Sequence, residues 1–217
     1  MKKITTSIGK EFTIGKIVCV GRNYVEHAKE LGNEVPEKPV LFLKPASALI
    51  FSGDKIIHPN FSEDMHHEVE LVLLIGKDCE SVSEEEAKDV IAGYGVGLDM
   101  TLRDIQNVLK SKGHPWTLAK CFNTSAVLSN IIDASDMTFS LDMKIELTVN
   151  GIVKQSDPLT KMIFNPEQLV SYISSVMKLE VGDLIYTGTP AGVSKVFRGD
   201  KLAASLGEKI RLTTEIV

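Results

Sequence analysis

Met65-His66-His67-Glu68-Val69-Glu70-Leu71-Val72-Leu73-Leu74-Ile75 is the stretch densest in residues that could do chemistry. On a strand, side chains alternate, so Glu68 and Glu70 share one face, which Val72 and Leu74 continue with apolar groups. Two carboxylates at the end of a core-like face raise each other's pKa unless a cation neutralises them. The alternative is a partly solvated strand end. Asp99 adds a third carboxylate at the end of Gly93-Tyr94-Gly95-Val96-Gly97-Leu98-Asp99. The glycines of that strand leave one face bare, open to another backbone or a ligand. Two Glu and one Asp are hard oxygen ligands suited to Mg²⁺, to Mn²⁺ and, less well, to Ca²⁺, with positions left for water and a chelating substrate. His66 and His67 suggest zinc, but His-His-Glu-Val-Glu is not the helical H-E-x-x-H pattern. Both are expected to be structural or to support the carboxylates from behind.

A second cluster is Gly21-Arg22-Asn23-Tyr24-x-x-His27-x-x-Glu30. On a helix His27 and Glu30 are neighbours at i and i+3, which makes either a surface ion pair or a carboxylate-oriented general base. Lys44 and Lys120 lie in apolar, aromatic company, where a lysine either extends to water or meets an anion. Cys121, beside Lys120, reads with Cys19 and Cys79 as a small buried hydrophobe. Residues 186–193, Tyr-Thr-Gly-Thr-Pro-Ala-Gly-Val, form a tight loop that either presents N–H groups and hydroxyls to a carboxylate or is a plain turn.

Holding these groups together takes a strand-rich chain. Strands are expected at 17–20, 40–43, 56–59, 68–75, 93–99, 126–128, 143–149, 152–155, 183–187 and 210–215, with an Asn150-Gly151 hairpin turn. Helices are expected at 24–31 with Asn23 as N-cap, at 83–91 from a Ser83/Glu86 capping box, at 101–112 capped by Thr101, and at 166–177 behind Pro166. Strands and helices do not alternate regularly, so an α+β domain is expected rather than a doubly wound sheet. Met100 stands where a G-x-G-x-x-G match from Gly95 requires Gly, so no dinucleotide site is expected.

The composition is that of one globular domain: 217 residues, 43% hydrophobic, 24% charged, mean hydropathy +0.06. With 24 Lys and Arg against 29 Asp and Glu, the net charge of −5 gives no cationic field for nucleic acid or an anionic membrane. A small anionic ligand then needs local cations. Three widely spaced cysteines encode no disulfide framework, and the basic start is broken by Thr5, Thr6, Ser7, Lys10 and Glu11 before any apolar signal core. A cytoplasmic protein is expected.

The ordered set of Val18-Cys19-Val20-Gly21-Arg22-Asn23-Tyr24, Pro39-Val40-Leu41-Phe42-Leu43-Lys44-Pro45, His66-His67-Glu68-Val69-Glu70-Leu71, Gly97-Leu98-Asp99-Met100-Thr101-Leu102-Arg103-Asp104, Lys120-Cys121-Phe122 and Thr187-Gly188-Thr189-Pro190 resembles the fumarylacetoacetate hydrolase family, in its short acylpyruvase or oxaloacetate decarboxylase-like form. The resemblance implies a mixed β-sandwich or β-roll with a few short helices, usually dimeric, over 15–217, with 1–14 packed on it as an N-terminal segment. At this length, the extra N-terminal domain of the long members is not expected. Glu68, Glu70 and Asp99 would hold the divalent ion, His27 and Glu30 would become a water-activating dyad on a lid helix, and Lys120 a substrate ligand. The implied substrate is a small 2-oxo acid or diacid reacting through a pyruvate-type enolate, by acylpyruvate hydrolysis or oxaloacetate decarboxylation. Tautomerisation or isomerisation is the alternative, and a catalytically silent metal-binding protein is the alternative of another class. Three carboxylates with Mg²⁺ sum to −1, so an anionic substrate needs Lys120, with Arg22 or Lys44, to offset repulsion. Gln106 and Thr189 are expected at the substrate carboxylate.

Overall fold

The computed structural model of the chain describes residues 2–32 and 34–217. A hairpin of β1 (Lys3–Thr5) and β2 (Glu11–Thr13) opens it, burying Ile4 and Phe12. β3 (Ile17–Gly21) leads into a short helix, α1 (Val25–Glu30). β4 (Val40–Lys44), β5 (Leu49–Phe51), β6 (Lys55–Ile56), β7 (Met65–His66) and β8 (Val69–Ile75) follow, then α2 (Glu84–Ala87). β9 (Ile91–Asp99) and β10 (Thr101–Leu102) precede α3 (Arg103–Ser111) and α4 (Thr117–Lys120). β11 (Ala126–Leu128), β12 (Ile132–Asp133), β13 (Lys144–Val149) and β14 (Ile152–Pro158) come before α5 (Pro166–Val176). The chain closes with β15 (Leu184–Tyr186), β16 (Lys201–Leu206) and β17 (Ile210–Ile216).

The larger sheet runs β4-β3-β15-β8-β9-β11-β5, with β12 joined to β9, and a second sheet runs β14-β13-β16-β17-β6. Both are mixed, with β15 parallel to β3, β11 to β5 and β17 to β6. This is the strand-rich α+β architecture that the sequence implies. β8 is buried at every position. Val69, Leu71, Leu73 and Ile75 face the main core with Leu147, Ile173 and Leu212, while Val72 and Leu74 face a second cluster with Phe12, Ile131 and Tyr186. Its run of apolar residues is therefore that of a strand covered on both sides, each large side chain contributing about 1.5–3 kcal/mol.

Three expectations are corrected and one strand is added. Thr101 caps no helix: it pairs with His66 in β10, and α3 begins at Arg103. Asn23 does not cap α1, because its side-chain amide is spent on the backbones of Phe164 and Thr187. Of 56–59 only Ile56 is in a strand, through the pairing of β6 with β17. Lys201–Leu206 is an unforeseen strand, since Lys, Ala and Ser carry little β-propensity and its pairing with β13 and β17 decides the matter. The Ser83/Glu86 capping box is present, and Asn150 and Gly151 both take positive φ at the β13–β14 turn.

Candidate active site

Glu68 and Glu70 enter the site from the start of β8, and Asp99 from the end of its antiparallel neighbour β9. Glu70 lies opposite Gly97, where an added Cβ would fall 2.5 Å from Tyr186 Cε1 and 2.8 Å from Val72 Cγ2. The bare face of β9 is thus filled here by the Tyr186 ring rather than by a ligand. One carboxylate oxygen from each of Glu68, Glu70 and Asp99 lies within 4.8 Å of the others, and all three residues are buried.

Lys120 reaches this group from α4, with Nζ 2.7 Å from Glu68 Oε2 and 2.6 Å from Asp99 Oδ2. Its Nζ lies over the Phe42 ring, 4.9 Å from the centroid. Arg103, at the start of α3, donates to Glu68 Oε1 at 2.6 Å and to Gln106 Oε1 at 2.6 Å. Lys44 Nζ stands 2.8 Å from Asp99 Oδ1, but its hydrogen bonds go to the Met100 and Lys120 carbonyls. Asp99 Oδ1 is thus met by the Lys44 charge alone, without a well-aligned hydrogen bond. Glu70 Oε2 accepts from the Gly188 N–H at 2.7 Å; Gly188 has φ +96, and a Cβ there would strike Asn23 Cβ at 2.5 Å.

The three carboxyl groups are electrostatically unequal. Burial pushes Glu68 up, but Lys120 and Arg103 outweigh it and hold the group well below its ordinary value. For Glu70, burial and the charges of Asp99 and Glu68 act together and raise it. Burial also works against Lys120, yet Asp99 and Glu68 leave its ammonium above the usual lysine range. A divalent cation fits this donor set: three clustered hard carboxylate oxygens, among them an under-neutralised Glu70. Three negative charges cancel the three positive charges of Lys120, Arg103 and Lys44, so a bound divalent ion brings the group to +2. That sharpens the sequence-based sum of −1 and makes the site receptive to anions.

Glu68, Glu70, Arg103 and Lys120 open into a narrow cleft also lined by Arg22, His27, Gln106, Lys110, Trp116 and Thr189. His27 is 4% exposed, with Nδ1 3.4 Å from Glu30 Oε2. Both Glu30 oxygens accept from the Gly192 N–H, at 3.1 and 3.2 Å. Burial lowers the His27 pKa, only partly countered by Glu68 and Glu30, so the imidazole is neutral near pH 7. Thr189 Oγ1 accepts from Gln155 Nε2 at 2.7 Å, and Gln155 Oε1 bonds His67 Nδ1 at 2.9 Å. His67 thus braces the 188–192 loop from behind, and His66 pairs with Asp64.

Of the residues singled out in the sequence, Arg22, His27, Glu68, Glu70, Gln106, Lys120 and Thr189 line this cleft, while Glu30, Asp99 and Lys44 stand behind it. Lys44 lies behind Asp99, 1% exposed, where the sequence reading had it beside a substrate. Cys121 is partly exposed, unlike Cys19 and Cys79, with Sγ 3.1 Å from the Leu43 carbonyl. Arg103 is the principal residue that sequence reasoning passed over. The available signal was its i, i+3 spacing to Gln106, which puts both on one helix face.

Residues 16–217 match the model of the Fumarylacetoacetate (FAA) hydrolase C-terminal family. The chain belongs to the fumarylacetoacetate hydrolase family. It is 44% identical over 190 residues to the Bos taurus oxaloacetate tautomerase FAHD1, mitochondrial, covering 88% of this chain and 86% of that protein. Among solved structures of the family, it is similar to the fumarylpyruvate hydrolase of Pseudomonas aeruginosa in complex with Mn²⁺ and pyruvate, with TM-score 0.95 and 34% identity over 100% of this chain and 95% of that one. The 2-hydroxyhepta-2,4-diene-1,7-dioate isomerase of Mycobacterium marinum gives TM-score 0.84 and 36% identity over 95% and 75%. The family thus holds hydrolases, isomerases and tautomerases, and a divalent metal is part of its chemistry. Among the described residues no helix is long and apolar enough to cross a membrane.

Proposed function

We propose that this protein is a divalent-metal-dependent enzyme of small 2-oxo acids, with keto–enol tautomerisation of oxaloacetate as its leading reaction and hydrolysis of acylpyruvates such as fumarylpyruvate as its second. The observation that carries this reading is a buried His27 facing the same cleft as Glu68, Glu70 and the Lys120 ammonium, with Asp99 clustered against those two carboxylates. Glu68, Glu70 and Asp99 would hold the ion, Mg²⁺ in our reading with Mn²⁺ as substitute, which supplies Lewis acidity at the 2-oxo group.

The chain's own residues do the rest. Arg103, Gln106 and Thr189 orient the substrate carboxylate, and Lys120 offsets negative charge as the enolate develops. In tautomerisation His27 removes a proton from C3 and Glu30 steadies the resulting imidazolium; the proton returns to the oxygen of the enol. In hydrolysis His27 takes a proton from a water that adds to the distal carbonyl. The C3–C4 bond then breaks with its electron pair on pyruvate enolate, which is reprotonated at C3. The tautomerase name of a relative 44% identical puts proton transfer ahead of decarboxylation, and the fumarylpyruvate hydrolase structure supports the second reading.

We further place the protein in a reducing compartment such as the cytoplasm, as its three unpaired cysteines allow. It is proposed to act as a homodimer without nucleic-acid or membrane partners; light scattering after size exclusion checks the oligomeric state. The deciding assay follows oxaloacetate enol absorbance and pyruvate release from fumarylpyruvate and acetylpyruvate, with Mg²⁺, Mn²⁺ or EDTA. Metal-dependent tautomerisation exceeding hydrolysis is expected. No metal-dependent turnover of any of them would leave a silent metal-binding protein instead.

A further inference from the structure

At the edge of the second sheet, β14 leaves Ile152 and Val153 63% and 52% exposed and buries Gln155 completely. A β-bulge causes this inversion. Leu147 pairs with Gln155 and Thr148 with Val153, so Lys154 is an extra residue that reverses the side-chain alternation and turns Gln155 inward. Gly192, at φ +99, packs against the bulge so closely that an added Cβ would fall 2.1 Å from the Lys154 carbonyl oxygen. The 188–192 loop, with Thr189 in the cleft and Gly192 on Glu30, is thus seated on this bulge.

Burying an amide is costly unless its hydrogen bonds are made. Here they are made, and two backbone groups fix which end of the amide is which. The Val69 N–H donates to Gln155 Oε1 at 3.1 Å, and Gln155 Nε2 donates to the Pro190 carbonyl at 2.8 Å. Turning the amide over would set donor against donor and acceptor against acceptor. Two assignments follow. His67 Nδ1, 2.9 Å from the same Oε1, must carry a hydrogen, so the Nε2 of the neutral imidazole accepts from Ser194 Oγ at 2.9 Å. The second hydrogen of Gln155 Nε2 goes to Thr189 Oγ1 at 2.7 Å, which makes that oxygen an acceptor and leaves its own hydrogen to be given elsewhere. Thr189 is 2% exposed and lines the cleft, and among the described residues nothing accepts that hydrogen.

We propose that Gln155 is a positioning residue that makes the Thr189 hydroxyl a dedicated hydrogen-bond donor toward an anion in the cleft. It stands in a directed series in which Ser194 donates to His67, His67 to Gln155 and Gln155 to Thr189. The proposal rests on the reading of the cleft as a 2-oxo acid site and deepens the role of Thr189 there. A hydroxyl whose acceptor side is already occupied does not have to turn when a carboxylate arrives, and each bond of the series polarises the next. Gln155 itself touches no substrate; it acts through Thr189 from the far side of the loop.

The test titrates pyruvate into the Mg²⁺-loaded full chain by calorimetry. Gln155→Met keeps the length of the side chain but frees Thr189 to donate to the Pro190 carbonyl, so pyruvate should bind about tenfold more weakly, the worth of one hydrogen bond to a charged group. Thr189→Val should lose as much and Thr189→Ser little, and the double variant Gln155→Met/Thr189→Val should bind no more weakly than Thr189→Val alone. Additive losses, or none from Gln155→Met, overturn the proposal. A measurement without any variant guards against misfolding of Gln155→Met. Nitrogen NMR of isotope-labelled wild-type protein at about pH 8, above the ordinary imidazole pKa of about 6.5, should show His67 with its hydrogen on Nδ1. A hydrogen on Nε2 instead would reverse the series and overturn it. If wild-type protein binds no pyruvate, the 2-oxo acid reading fails, and the His67 tautomer still decides the direction of the series.

Discussion

The carboxylate side of the cleft stands on β8 and β9, neighbouring strands in the middle of the larger sheet, with β8 buried throughout. Its charges are braced by Lys120, Arg103 and Lys44. The His27–Glu30 side stands on α1, six residues long, without a side-chain cap. A helix that short has almost no stability of its own. It is held at its entry by the Asn23 amide and at its exit by Glu30 on Gly192. The proposed ion site is thus built on strands buried in the middle of the sheet and the proposed proton-transfer pair on a short helix with little support of its own. The two functions should therefore be separable by mutation.

The largest effect should come from the stiff side. Glu70→Gln keeps an oxygen that can accept from Gly188 N–H, so the fold should survive while the ion loses a ligand. Metal-dependent turnover should fall by about 10³-fold or more, as loss of several kcal/mol of charge stabilisation implies. In the wild type, Mg²⁺ at about 100 times its Kd should stabilise by about 2.7 kcal/mol, roughly 5–10 °C for a chain of this size. Differential scanning fluorimetry of Glu70→Gln should show that shift gone, and a retained shift would remove Glu70 from the ligand set.

His27→Ala should break the other half alone. Turnover of oxaloacetate and fumarylpyruvate should drop by about 10²–10⁴-fold, the usual worth of a positioned acid–base group. The Mg²⁺-induced thermal shift should stay. If the shift disappears with the imidazole, the two sides of the cleft are not independent.

How well each side can be read from sequence follows the same division. Glu68 and Glu70 are two apart on an apolar strand, and a period of two is enough to put them on one face with Val72 and Leu74. Sequence could not show that β9 is their neighbour, so Asp99 joined them only as a hard ligand of matching type. His27 and Glu30 look like a surface ion pair by spacing. What makes them a site is the return of residues 188–192 to Glu30 from far along the chain, a contact that no local pattern encodes. Lys44 misled because an isolated lysine in apolar sequence does not reveal which carboxylate it meets. Asn23 misled because its tertiary bonds to Phe164 and Thr187 outcompeted the local capping role.

A smaller and more particular effect is expected from Glu30→Gln. The proposed proton transfer requires a neutral His27, and the neutral fraction falls as pH drops through the imidazole pKa. Burial already moves that pKa below the ordinary value of about 6.5, while Glu30 pulls it back up by charge and hydrogen bonding. Removing the charge should lower it further. The acid limb of the kcat/KM profile should then move to lower pH, with a loss of about tenfold on the plateau as imidazolium support weakens. A limb that moves to higher pH would show that Glu30 does not act on His27 in this way.

Asn23→Ala should give the smallest change in rate and tests the tether itself. It removes three hydrogen bonds between the start of α1 and the Phe164 and Thr187 backbones, leaving buried groups unpaired at a cost of about 1–3 kcal/mol. His27 stays in place but is held less firmly, so turnover should fall only a few-fold. Hydrogen exchange should quicken in residues 25–30 and remain slow in 69–75, because the strands of the ion site do not depend on Asn23. Equal loosening of both segments would mean that helix and strands open as one cooperative unit, and the contrast between the two sides of the cleft would then be one of geometry alone.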